Sequence, residues 1–194
     1  MKLYLVRHGE SESNLKKIHG GWLDVSLTEQ GKQDAASAGR LLRDIHFDKV
    51  YTSDQTRAMQ TADIALPDQE KERSSLLREI CLGELEGRTP ADCQAQYGEH
   101  YLTEKANRNF GDFGGENYSD HVKRTQAFLD MVATEEDITV AAFCHEGTIK
   151  CMLDIVLQVG HWISIKNVHC ANGSVTVLDY RNGNWRLCQW NITE

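Results

Sequence analysis

Along this chain short continuous apolar runs alternate with stretches whose apolar residues recur along one side of a helix. Residues 2–7 carry the apolar run Leu3-Tyr4-Leu5-Val6, which stops abruptly at Arg7 and reads as a buried first strand. From Thr28 to about Ile45, Ala35, Ala38, Leu41 and Leu42 recur along one side of a helix, with Thr28 as its N-cap. Asp48 to Thr52 predicts a second, short strand. Ser53 or Asp54 then caps a helix running to about Leu66, where Pro67 follows. Tyr118 to about Val132 reads as a helix with Val122, Leu129 and Val132 toward the core. Ile138–Phe143 is a continuous apolar strand, followed by a helix from Gly147 to Val159. Two late strands, Ser174–Asp179 and Trp185–Trp190, flank Asn182-Gly183, a strong hairpin signal.

Strands alternating with helices favour an α/β layered fold. Residues 80–117 break the pattern: they hold six glycines and several aromatics. This stretch reads as a lid or insertion with short helices, within a single domain spanning 1–194.

Composition narrows the function. The chain has 194 residues, 40% of them hydrophobic, and only two prolines. A chain of this length buries about 70% of its unfolded surface and needs neither disulfide nor metal to hold a core. The formal net charge of −8 argues against a nucleic-acid partner, which would call for a basic patch. It is compatible with a small anionic substrate in a locally positive cleft. No apolar stretch reaches the length of a membrane span, and Met1-Lys2 runs straight into a strand. The six cysteines are scattered without a Cys-x-x-Cys pair, so reduced thiols and a cytoplasmic location are expected.

The polar residues at the strand ends carry the candidate chemistry. Arg7-His8-Gly9 lies just past the first strand, on the edge where ligands bind in open α/β sheets. Cys144-His145-Glu146-Gly147 repeats the design after the strand at 138–143, and the helix that follows offers its N-terminus to an anion. Arg57 falls in the first turn of a helix, where a cation is disfavoured unless an anion binds beside it. Leu77-Arg78-Glu79-Ile80 sets a carboxyl among apolar residues, and burial of that kind raises a carboxyl pKa. Together these groups suit phosphoryl transfer: an imidazole attacks phosphorus, cations neutralise the equatorial oxygens, and a carboxyl protonates the leaving group. The side-chain cations take the place of a metal, so no cofactor is expected.

Four motifs stand in order: Arg7-His8-Gly9-Glu10-Ser11, Ser53-x-x-x-Arg57-Ala58-x-Gln60-Thr61-Ala62, Glu79 with Gly83-x-x-Glu86-Gly87, and His145 with Gly147. The set resembles the histidine phosphatase superfamily, which also contains the cofactor-dependent phosphoglycerate mutases. The resemblance implies a three-layer α/β/α fold with a mostly parallel central sheet. It implies that His8 is the phosphorylated nucleophile, that Arg7, Arg57, His145 and Asn14 form the phosphate pocket, and that Glu79 is the proton donor. Gly20-Gly21-Trp22-x-Asp24 resembles the mutase segment Thr-Gly-Trp-x-Asp that borders the substrate, with Gly20 in place of the Thr. Where many relatives have Ser-His-Gly, Glu146 adds an acid between His145 and Gly147.

The expected reaction is hydrolysis of a small phosphorylated metabolite, a sugar phosphate, α-ribazole phosphate or similar. Mutases of this family carry an Arg-Arg pair that holds the substrate carboxylate. The stretch from Glu79 to His145 has Arg88, Lys105, Arg108, Lys123 and Arg124 but no such pair. Phosphoglycerate mutase is the alternative enzyme, and a non-catalytic phosphate-binding module is the alternative of another class. A homodimer through an edge strand stays open beside a monomer.

Overall fold

A computed structural model describes residues 1–134, 138–160 and 162–194. Six strands form one sheet: β1 (Lys2–Arg7), β2 (Lys49–Thr52), β3 (Glu72–Arg73), β4 (Thr139–Cys144), β5 (Val175–Arg181) and β6 (Asn184–Ile192). Their order is β3-β2-β4-β1-β5-β6. The four strands β3, β2, β4 and β1 pair in parallel, while β5 and β6 add antiparallel. The central sheet is therefore mostly parallel, as the resemblance implies.

The period-2 pattern of the central strands sorts the two faces. On one face Leu3, Leu5, Val140, Ala142 and Cys144 pack against α5 (Tyr118–Val132) and α6 (Glu146–Leu157) through Phe128, Leu129, Val132, Ile149 and Met152. On the other, Val6, Val50, Ala141 and Phe143 meet α2 (Glu29–Leu42) and α3 (Thr56–Ala65) through Ala38, Leu42, Ala62 and Ala65. That is a three-layer α/β/α arrangement. Val122 is only half-buried, whereas His121 and Phe128 on the same helix are fully buried.

Two local expectations change. Thr28 caps α2 as predicted, accepting from the Gly31 amide at 3.0 Å. The N-cap of α3, however, is Gln55 rather than Ser53 or Asp54. Both of those side chains are engaged elsewhere, Ser53 by His145 and Asp54 by Arg78. Asp24 caps the helix from outside, accepting from the Thr56 amide and hydroxyl, each at 2.9 Å.

Residues 80–117 are more regular than their sequence suggests. They contain one long helix, α4 (Pro90–Asn107), kinked at Gly98, with 3-10 turns at Gly83–Leu85 and Gly111–Phe113. Ile80, Leu82, Leu85, Cys93, Tyr101, Phe110 and Phe113 give this segment an apolar cluster of its own. Two short helices complete the fold, α1 (Glu12–Lys16) after the first strand and α7 (Trp162–Ile165) before β5. No described helix is long and apolar enough to cross a membrane.

Phe128 is fully buried, with its ring edge-on to Tyr51 at 5.5 Å between centroids. Phe128→Ala is expected to cost about 3–5 kcal/mol of unfolding free energy in urea at unchanged m-value. A loss below about 1 kcal/mol would show that α5 does not pack as described.

Candidate active site

Three parallel strands end side by side, and their ends build the site. The His8 amide donates to the Cys144 carbonyl at 3.0 Å, and the Ser53 amide donates to the Phe143 carbonyl at 2.8 Å. The residues just past β1, β2 and β4 are thereby fixed next to one another. His8 and His145 face each other with ring centroids 5.1 Å apart. Gly9 is required by close packing: a Cβ there would lie 2.1 Å from the Gly31 carbonyl oxygen in the first turn of α2.

His8 is held in a single tautomer. Its Nδ1 lies 2.7 Å from the Gly9 carbonyl. A carbonyl only accepts, so Nδ1 carries the proton and Nε2 keeps its lone pair. Burial, then Arg57 and Arg7, hold the imidazole well below its ordinary pKa, so it is neutral at pH 7. The segment before β5 braces it from behind. Asn172 donates to the His8 carbonyl at 3.0 Å, and Arg7 donates to the Cys170 carbonyl. No signal in the sequence marked these two positions, because their contacts are made through backbone oxygens.

A cavity of about 590 Å³ opens over His8 and is lined by Arg7, Asn14, Gly20, Gly21, Arg57, Glu79 and Glu146 among others. Arg57 is 2% exposed and donates to the carbonyls of Leu23 at 2.9 Å and Gly21 at 2.8 Å. Those carbonyls relieve part of the mismatch of a cation at a helix N-terminus. Gly21 acts here through its backbone. Gly20 lies beside it on the cavity wall. Arg7 pairs with Glu146 at 3.2 Å, and Lys150 holds the other Glu146 oxygen at 2.6 Å. The unexpected acid is thus tied to Arg7 on the cavity wall. Asn14 spends its Oδ1 on the Ser11 amide and hydroxyl, at 3.0 and 2.9 Å, closing the capping box of α1. His145 accepts or donates at Nε2 with the Ser53 hydroxyl at 3.0 Å, while its buried Nδ1 has no partner among the described residues.

Glu79 differs from expectation in its charge. Burial alone would push its carboxyl up. The Arg108 guanidinium and the Ile80 and Gly147 amides outweigh that and hold it at about 2. Arg108 Nη2 lies 3.1 Å from Oε1, the Ile80 amide donates to Oε1 at 2.9 Å, and the Gly147 amide donates to Oε2 at 2.9 Å. The first turn of α6 therefore points one of its free N–H groups at Glu79. Gly147 has no room for a side chain, since a Cβ would lie 2.0 Å from Glu79 Oε1. The backbone around Glu79 is equally constrained. Its amide donates to Gln55 at 3.1 Å, and its carbonyl accepts from the Trp22 indole at 2.7 Å and from Arg124 at 3.2 Å.

The sequence did not single out the lid side of the cavity. Leu102, Lys105, Arg108 and Phe110 reach it from the lid, and Trp162 and Lys166 from α7 and beyond. Arg108 and Lys105 were visible only as scattered basic residues; the fold places both at the end of α4, on the cavity wall. Glu86, half-buried, accepts from the amides of Trp22 at 2.7 Å and Leu82 at 2.9 Å, binding the 20–24 loop to the lid. Cys144 is fully buried and its thiol is pushed up, so it stays protonated. All six cysteines are unpaired.

The model of the histidine phosphatase superfamily (branch 1) matches residues 3–193. The chain belongs to this superfamily. It is 32% identical over 191 residues to a broad-specificity phosphatase of Saccharomyces cerevisiae, covering 93% of this chain and 80% of the relative. It is 44% identical to phosphoglycerate mutase 1 of the same yeast over 105 residues, which is 50% of this chain and 42% of the mutase. The match thus spans only 42% to 61% of the length of several of its curated relatives. Among solved structures, a mycobacterial glucosyl-3-phosphoglycerate phosphatase superposes with a TM-score of 0.87 at 27% identity, covering 99% of each chain. Members of the superfamily similar to this chain are thus phosphatases and mutases.

His8, His121 and His145 are all buried and lowered, burial being the largest cause for each, with His121 at about 3. Unfolded, each takes up a proton near pH 6.5. The folded state binds fewer protons below that pH. The stability of neutral burial is therefore present above about 6.5 and is lost as pH falls toward the folded pKa values. Unfolding free energy in urea is expected to drop from pH 7 to 5, approaching about 1.4 kcal/mol per pH unit for each histidine. His121→Asn should flatten the slope by about one proton. A profile level over that range would mean that the folded imidazoles take up protons freely.

Proposed function

We propose that this protein is a phosphomonoesterase that works through a phosphohistidine on His8 and acts on a small phosphorylated metabolite. One observation carries the reading: a neutral imidazole with its Nε2 lone pair available shares a cavity with Arg7, Arg57 and the half-buried carboxyl of Glu79. Nε2 attacks phosphorus, the bond to the leaving oxygen breaks, and Glu79 gives that alkoxide its proton. In the second step the Glu79 carboxylate takes a proton from water, the water oxygen bonds to phosphorus, and the N–P electron pair returns to His8. Arg7 and Arg57 neutralise the equatorial oxygens as charge spreads over them, with the neutral His145 ring packed beside His8. The scheme needs no metal, because the two arginines supply the positive charge. Hydrolysis is favoured over transfer by the lid, which presents Arg108 without an adjacent arginine. The identity to yeast phosphoglycerate mutase 1 supports the second reading, a mutase.

Brief incubation with substrate should trap acid-labile phosphate on the wild-type protein and none on His8→Ala. Label persisting in that variant would displace His8 as nucleophile. With 3-phosphoglycerate and 2,3-bisphosphoglycerate supplied together, isomerisation exceeding hydrolysis would make the protein a mutase. No turnover on a broad phosphoester panel, with inorganic phosphate binding unchanged in His8→Ala, would make it a binding module.

Glu79→Gln should slow an alkyl phosphate by about 10²-fold or more and a nitrophenyl phosphate far less, since only the poor leaving group needs the proton. Equal slowing of both would remove Glu79 from the acid role.

A further inference from the structure

The proton donor poses a problem in the ligand-free site. Glu79 must be protonated to help the leaving group, yet its carboxylate accepts from Arg108, Ile80 and Gly147 at 3.1, 2.9 and 2.9 Å. Two of these partners are backbone amides fixed by the fold. Arg108 is the one that a substrate can draw away. It sits at the end of α4 in the left-handed C-cap position, on the lid rather than on the sheet. Its guanidinium carbon lies 4.2 Å from the Trp162 ring centroid, a face along which a planar cation keeps its contact while shifting. Its Nε is buried without a hydrogen-bond partner among the described residues. Both Arg108 and Lys105, less than one turn back on the same helix, line the cavity above His8.

We propose that Arg108 is a clamp on Glu79 that a second anionic group on the substrate, a carboxylate or phosphate, releases by drawing the guanidinium onto itself. The proposal rests on the reading of Glu79 as proton donor. With Arg108 engaged by the substrate, the carboxyl keeps its two amide contacts and its burial, and burial favours the protonated form. The other charged or titratable groups around Glu79 do not replace the clamp. His121 is held neutral on α5, and Arg124 of the same helix donates to the Glu79 carbonyl rather than its carboxylate. Arg57 on α3 is held by Gly21 and Leu23, and His8 is neutral. Release thus couples recognition of the substrate body to proton transfer at the ester oxygen. It makes the site selective for phosphomonoesters that bear a second anion near the phosphate. Arg108 acts on the chemistry through Glu79 and is a positioning residue.

The test compares 3-phosphoglycerate with glycerol 3-phosphate, which differ by a carboxylate in place of a hydroxymethyl group, with released phosphate as readout. In the wild-type protein the alkaline limb of the kcat–pH profile should lie at higher pH for 3-phosphoglycerate, because Glu79 is unclamped only in that complex. In Arg108→Met the two limbs should coincide, and the ratio of kcat/KM for the two esters should fall by about tenfold or more. Arg108→Lys, which keeps the charge, should restore part of the ratio. Coincident limbs in the wild-type protein overturn the clamp without recourse to any variant. A parallel fall for both esters in Arg108→Met, with the ratio unchanged, overturns it too and leaves Arg108 a purely structural partner of Glu79. Phosphohistidine trapping on the wild-type protein with nitrophenyl phosphate separates the two levels. Trapped label with coincident limbs rejects the clamp alone, whereas no label rejects the phosphohistidine mechanism beneath it.

Discussion

The hydrogen bond from the His8 amide to the Cys144 carbonyl closes the β1–β4 ladder where both strands pass into the site. Everything catalytic hangs on that register. Leu3, Leu5, Val140 and Ala142 face one helical layer, and Val6, Ala141 and Phe143 face the other. A slip of one residue would turn each of these side chains to the opposite layer. Two well-filled apolar faces therefore hold the register, and the register in turn places His8 and His145 5.1 Å apart. The core and the site are one constraint seen from two ends.

Charge within the site is arranged against the sign of the whole chain. A protein of net charge −8 gathers Arg7, Arg57, Lys105, Arg108 and Lys166 around a single cavity. The free site answers these cations piecemeal. Arg57 leans on two backbone carbonyls, Arg7 on Glu146 and a carbonyl, and Arg108 on Glu79. Each of these partners is weaker than a phosphate dianion bound by charge-assisted hydrogen bonds in the same place. The imidazoles are neutral because they are buried among cations, and the same cations suit the charge that spreads over a transferring phosphoryl group. Glu79 is the point at which the two requirements conflict, since what favours an anionic substrate also favours an ionised carboxyl.

The segment at 80–117 brings two of those cations, Lys105 and Arg108, to the cavity. Its apolar cluster is separate from both faces of the sheet. Polar ties join it to the body: Glu86 to the loop at Trp22, and Arg124 of α5 to Glu116 and to the carbonyls before Glu79. Arg78, paired to Asp54 at 2.6 Å and lying over Trp22, locks the segment that leads from the 3-10 turn Ser75–Leu77 into Glu79. These contacts make the position of one carboxyl depend on four distant stretches of chain.

Much of this was legible in the order of residues. Continuous apolar runs marked β1 and β4, apolar residues along one side marked α2 and α5, and Asn182-Gly183 marked the β5–β6 turn, because each is set by neighbours a few positions apart. Arg7, His8, Arg57 and His145 could be singled out because they stand immediately beside such elements, at strand ends or in a helix first turn. The cap of α3, the ionised state of Glu79 and the inward turn of Arg108 could not. Ser53 and Asp54 are good capping residues in isolation, but His145 and Arg78 claim them from 92 and 24 positions away. A carboxyl among apolar residues reads as a raised pKa, until an arginine 29 positions on and a glycine amide 68 positions on meet it in space. Local pattern determined which elements form and which residues stand at their ends. Only the folded chain decided which charges share a cavity, since that depends on Coulombic and hydrogen-bond partners that sequence distance does not reveal.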